Sequence, residues 1–314
     1  MQASNPWPHS PERLSVRQGD PEAMFGLSPA AGTSVRTAFC GLIALILTAI
    51  FFGILSSLPA SPFRSMMLDR GPTQYAAVLL GFWAAVILIF KRMKLSVQRR
   101  ALARPVVPEN QRFVLTRQTA PDVLTTIHAI ADFPDQFLVF RRILIALSSL
   151  KNLGRIGDVD EVLQSMADRD ESASATSFGM LSGFLWAIPV LGFIGTVLGL
   201  AGAIGNFSAL LTDDSDVAGI IGSLREVTGG LSTAFETTLV ALVIALFLQL
   251  WITVQKKAEE EFLDQCQDYC LSQIVSRMRA DDATQGLQEA PPELSPSPQA
   301  TIPASASAAT SQGR

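Results

Sequence analysis

The sequence predicts an all-α integral membrane protein with four transmembrane helices and a cytoplasmic helical segment between the second and third. Three observations carry that prediction. Of 314 residues, 48% are hydrophobic and only 17% charged, a balance too apolar for an ordinary soluble domain. Four stretches hold no charge or a single one, Thr37–Leu58, Gly71–Phe90, Ser172–Thr212 and Val227–Gln255, each near or above the roughly 20 residues that cross a bilayer as helix. Finally, Lys91, Arg92, Lys94, Arg99, Arg100 and Arg104 follow the second stretch with no acidic residue among them. Such a cluster stays in the cytoplasm and so orients every other span.

Residues 1–35 are rich in Pro, Ser, Gly and Ala without apolar periodicity, and read as a disordered cytoplasmic arm. Residues 36–90 hold transmembrane helices 1 and 2, joined by a short outer loop with Arg64, Asp69 and Arg70. A cleaved signal peptide is the rival reading of the first apolar stretch, against which stands the long segment before it. Residues 91–171 form the cytoplasmic segment of two or three helices, with breaks expected at Pro121, Pro134 and Gly154 and apolar residues at helical spacing from Phe137 through Leu150. Residues 172–255 hold transmembrane helices 3 and 4, separated by an outer loop with Asp213, Asp214, Asp216, Arg225 and Glu226. Residues 256–279 read as a cytoplasmic helix whose stripe of Phe262, Leu263, Cys266, Tyr269, Cys270 and Ile274 needs a partner. Residues 280–314, dominated by Pro, Ser, Ala and Gln, read as a disordered tail. Both termini then lie in the cytoplasm.

The third span carries Gly179, Gly183, Gly192, Gly195, Gly199, Gly202 and Gly205, and spacings of three and four gather most of them on one face that admits another helix very closely. Pro189 removes a backbone donor inside it. Thr196 places a hydroxyl at membrane depth, readable either as a packing hydroxyl bonded to its own helix or as part of a polar path. The fourth span carries Glu236 among Ser232, Thr233, Thr237 and Thr238. A carboxylate at that depth costs a few kcal/mol when it faces lipid, so it belongs in a bundle interior, a wet cavity or an interhelical hydrogen bond. Glu236 shares a helical face with Thr233 and Val240, whereas Thr238 lies roughly 160° away with Ala234, Ala241 and Ala245.

Other chemistry finds little support. No nucleophile–base set or phosphate loop marks an enzyme, and His128 stands alone. Cys40, Cys266 and Cys270 form neither a disulfide framework nor, with only two histidines in the chain, a metal set. The net charge of -4, with no basic face interleaved with aromatics, argues against nucleic acid. No cofactor is called for.

The blocks Pro189-Val-Leu-Gly192-Phe-Ile-Gly195-Thr196-Val-Leu-Gly199 and Gly230-Leu-Ser-Thr-Ala-Phe-Glu236-Thr-Thr238 through Ala245 resemble the two signature helices of the MotA/TolQ/ExbB proton-channel family. The wording is closer to ExbB and TolQ, while four spans around a large cytoplasmic segment resemble the layout of MotA. The resemblance implies a homopentamer in the lipid of a bacterial inner membrane, surrounding a single-span partner of the ExbD, TolR or MotB type whose membrane aspartate takes up and releases protons. It further implies that Thr196 and Thr238 are the path-lining threonines and that Gly192, Gly195, Gly199 and Pro189 shape the helix packing. Thr233 stands where the ExbB and TolQ branches carry a glutamate, so Glu236, one turn further along the same face, is expected to take that carboxylate's place. The coupling ion is expected to be the proton, with sodium open. A membrane scaffold and a secondary-transporter subunit without motor activity are the alternatives.

Overall fold

The computed structural model describes residues 13–15, 22, 32–108, 114–116, 118–153, 156–210 and 217–278. The described residues fold into α-helices with short 3-10 and π turns and two isolated β-bridges. Four helical runs are long and apolar enough to cross a membrane. The tail from 280 onward, and residues 211–216 with Asp213, Asp214 and Asp216, lie outside the described residues.

Helix α1 (Thr37–Ser57) is the first apolar stretch, and Pro59 follows its end. The connection after it holds a short helix where a loop was expected. Pro62 supplies a preset φ at the first turn of α2 (Pro62–Leu68), and the Ser61 hydroxyl caps it by accepting from the Arg64 N–H at 3.2 Å. Gly71, at φ +89°, adopts the left-handed conformation that glycine tolerates, and turns the chain into α3 (Pro72–Leu102). This helix continues well past Phe90, where the charge-free stretch ends. Lys and Arg are good helix formers, and the next proline is Pro105. Arg99 and Arg100 sit in its last turn, where cations complement the helix dipole.

The polar segment forms α4 (Ala120–Ile130), a 3-10 turn Pro134–Gln136, α5 (Leu138–Leu153) and α6 (Ile156–Ser177). Pro121 begins a helix rather than ending one, whereas Gly154 lies outside the described residues. Helix α6 runs through Ser177, six residues into the charge-free stretch. Absence of charge marks compatibility with lipid, not a helix end. The chain breaks at Phe178 and resumes as α7 (Gly179–Leu210), which keeps Pro189 inside it.

Helix α8 (Val217–Tyr269) is continuous over 53 residues, about 80 Å, far more than a hydrocarbon core of about 30 Å. Arg225, expected in a loop, lies on it, and the segment from 256 onward is its direct extension. The α-helix ends at Tyr269 and passes through a π turn at Cys270–Ile274 and a 3-10 turn at Val275–Arg277.

Two cores result. In one, Val123, Ile127, Phe137, Phe140, Ile143 and Leu147 of α4–α5 and Leu163 of α6 close around Phe262, Cys266, Cys270 and Ile274. The stripe at the end of α8 therefore finds its partner within the chain, and all three cysteines are buried and free. In the other, Ala77, Ala84, Ile87 and Leu88 of α3 pack with Leu181 and Ile188 of α7 and Ala241, Ala245 and Leu248 of α8.

Some residues of the amino-terminal arm, Leu14 and Glu22 among them, contact the helices. Leu14 exchanges backbone hydrogen bonds with Ile130 and Asp132. Glu22 is fully buried, accepting from Lys94 Nζ at 2.7 Å and from the Arg36 N–H at 2.6 Å. Buried ammonium and carboxylate groups persist when paired in this way.

Candidate functional site

Helices α7 and α8 meet through glycine. A methyl group added at Gly192 would stand 2.6 Å from Ala241 Cβ, one at Gly195 2.8 Å from Thr237 Oγ1, and one at Gly199 3.1 Å from the Gly230 carbonyl. These are impossible or very tight approaches, so the missing Cβ atoms are what lets the two backbones close together. Gly179, Gly183, Gly202 and Gly205 face open space instead. The glycine face is thus spent on packing within one chain at its middle and is open toward its ends.

That close approach brings Thr196 of α7 against Thr238 of α8, hydroxyl to hydroxyl. Thr196 Oγ1 also lies 3.1 Å from the Gly192 carbonyl and 3.3 Å from that of Ala234, and Thr238 Oγ1 lies 3.1 Å from the Gly192 carbonyl. Each hydroxyl has one proton and several acceptors within reach. The pair can therefore shift its protons among partners without moving the helices. Both side chains are half-buried at the edge of a broad apolar face that includes Phe193, Val197, Phe235, Leu239 and Leu242, all well exposed. Thr237, one position before Thr238, is buried, bonds the Ala234 carbonyl at 3.1 Å, and packs with Thr73 of α3 over Gly195.

Glu236 points elsewhere, as its helical phase requires. Arg70, on the α2–α3 connection, approaches it with Nε and Nη2, both 2.8 Å from Glu236 Oε2. A third guanidinium nitrogen, Nη1, donates to Thr233 Oγ1 at 2.7 Å, and Ser232 Oγ donates to Glu236 Oε1 at 2.8 Å. The Arg70 and Glu236 side chains are 20% and 28% exposed. Thr233 and Glu236 are thus brought together on one cation, and the Thr196–Thr238 pair forms a separate site. Thr73 and Arg70 were not among the expected site residues. Only their proximity to the start of α3 places them here, and no local pattern announces it.

A second charged cluster lies at the far end of α3. Lys91 Nζ is 3.0 and 3.1 Å from the two carboxylate oxygens of Glu259, and both side chains are essentially inaccessible, at 1% and 2%. Glu259 also accepts from Ser174, Thr33 and Gln255, while Lys91 donates to Ser177 and stands 4.2 Å above the Phe178 ring. The helix break at Phe178 is therefore the point where the amino-terminal arm, α3, α6 and α8 are tied together. A periodic signal for this cluster exists in the sequence. Lys91, Lys94 and Gln98 are buried on the same face as Leu95, at helical spacing, whereas Arg92, Arg99 and Arg100 are exposed.

Residues 139–268, from α5 to near the end of α8, match the model of the MotA/TolQ/ExbB proton channel family. The segment belongs to that family. The match is wider than the two resembling helices and takes in α5 and α6 of the polar segment. It includes Thr196, Thr233, Glu236 and Thr238, and it leaves Arg70, Thr73 and Lys91 outside. No curated protein matches the chain. Four apolar helices together with a MotA/TolQ/ExbB segment make this a multi-pass membrane protein.

Proposed function

We propose that this chain is the channel subunit of a proton-driven motor complex, acting as a ring around a separate single-span helix that carries a titrating carboxylate. The observation that carries the reading is the Thr196–Thr238 hydroxyl pair. Two polar groups sit in the seam of the family's two signature helices, at the edge of a face otherwise made of large exposed apolar side chains. A purely apolar wall holds no water and passes no proton, whereas hydroxyls with alternative acceptors can hold a short water chain beside a titrating acid. One elementary charge crossing about 100 mV releases roughly 2.3 kcal/mol, and repeated steps of that size can turn one component within another.

In this reading five copies assemble in a bacterial inner membrane with both termini and the α4–α6 helices in the cytoplasm. The exposed faces of α7 and α8 meet lipid, neighbouring copies and the partner, and the partner's aspartate carries the proton past Thr196 and Thr238. Gly192, Gly195, Gly199 and Pro189 fix the seam. Glu236, held by Arg70, shapes the same helix without touching the threonine pair. A scaffold role draws support from that ion pair alone, since it shows Glu236 binding two parts of one chain together.

Vesicles containing the purified chain, with and without a single-span partner bearing a membrane aspartate, test the reading through uptake of protons under an imposed potential. Uptake is expected only with the partner and is expected to fall by about tenfold or more on Thr238→Ala, the rate equivalent of losing about 1.4 kcal/mol of stabilisation along the path. Uptake that is independent of the partner, or absent with it, would contradict the proposal.

A further inference from the structure

The Glu236 carboxylate and the Thr233 and Ser232 hydroxyls converge on one side of α8, an arrangement of hard oxygen donors of the kind that binds hard metal cations. A guanidinium already occupies it. Arg70 places Nε and Nη2 2.8 Å from Glu236 Oε2 and Nη1 2.7 Å from Thr233 Oγ1, while Ser232 satisfies the other carboxylate oxygen. Arginine keeps its charge at any physiological pH and its planar fork matches a carboxylate geometrically. The cation also comes from a fixed place in the chain, one residue before the left-handed Gly71 and the start of α3. Arg70 lies outside the segment that matches the channel family, whereas its two partners, Glu236 and Thr233, lie inside it.

We infer that Arg70 is a tethered cation that closes the Glu236–Thr233–Ser232 oxygen cluster to free metal ions, so that sodium is kept from binding on this side of α8. The inference deepens the channel reading and rests on that reading for its meaning in transport. Its physical core is the occupancy of the cluster, which can be measured without transport. A sodium ion arriving at Glu236 must displace a guanidinium that makes three close contacts and is held at the end of a packed helix. With the guanidinium removed, the same oxygens face a vacant, negatively charged position that sodium can fill.

The test compares melting temperatures of the full-length protein in detergent, in sodium chloride against choline chloride at equal concentration. Wild type is expected to melt at the same temperature in both salts. Arg70→Ala is expected to melt several degrees higher in sodium than in choline, because an ion bound only to the folded state stabilises it. Adding Glu236→Gln should abolish that difference, and Arg70→Lys, which keeps a tethered cation, should not show it. Equal melting of Arg70→Ala in both salts would overturn the inference, as would a sodium-specific rise in wild type that Glu236→Gln removes. If Arg70→Ala gives no cooperative transition, Arg70→Gln carries the same comparison with the same two outcomes. Failure of partner-dependent proton uptake in wild type would remove the channel reading, and the salt comparison would still decide whether Arg70 occupies the cluster.

Discussion

Replacing Glu259 with Ala is expected to cost about 3–5 kcal/mol of stability, the loss that follows when one partner of a buried ion pair is removed and the other charge is stranded. Lys91 and Glu259 are 1% and 2% exposed, so water cannot take over the solvation of whichever group remains. Three further donors, on Ser174, Thr33 and Gln255, would lose their acceptor at the same time. A drop of about 10 °C in the melting temperature of the detergent-solubilised protein is the corresponding result. The double change Lys91→Met with Glu259→Leu should recover part of that loss, because apolar groups of similar volume need no partner. Recovery stays incomplete because the hydroxyl and amide donors still lack an acceptor. A Glu259→Ala protein that melts with wild type would show that the cluster does not tie the helices together.

Gly192→Val is the second large effect. A Cβ there would meet Ala241 Cβ at 2.6 Å and the Thr238 Cα at 3.2 Å. The second of these is backbone and cannot rotate away. The helices must separate, which costs about 1–3 kcal/mol by the usual penalty for overpacking, and separation pulls Thr238 from Thr196. Loss of thermal stability together with loss of partner-dependent proton uptake is the expected outcome. Gly53→Ala on α1, where a methyl group meets nothing within 4 Å, should leave both unchanged. If Gly192→Val behaves like Gly53→Ala, the seam is not close-packed.

The spans were legible because charge-free length shows where lipid is tolerated. Thr196 and Thr238 were singled out by the resemblance of their two helices to a known family, and no local spacing announced that the two hydroxyls meet. The helix ends were less legible, since Lys, Arg and small polar residues continue α3 and α6 across the points where charge begins or ends. The partners within the ion pairs were not legible. Arg70 lies 166 residues from Glu236 and Lys91 lies 168 from Glu259, and any of several charges near the ends of the spans could have filled those roles. Lys91 and Lys94 read as members of a solvated basic cluster. What separates them from Arg92 and Arg99 is helical phase, and phase matters only once the packing partner of α3 is known.

The claim that the seam conducts through hydroxyls is distinct from the claim that it packs well, and two substitutions at one position separate them. Thr238→Val keeps the branched shape and removes the hydroxyl, whereas Thr238→Ser keeps the hydroxyl and removes a methyl group. In vesicles holding the protein together with a single-span helix that bears a membrane aspartate, the account predicts that Thr238→Ser retains most of the proton uptake and that Thr238→Val loses it. Retention by Thr238→Val, or equal loss in both, would contradict it.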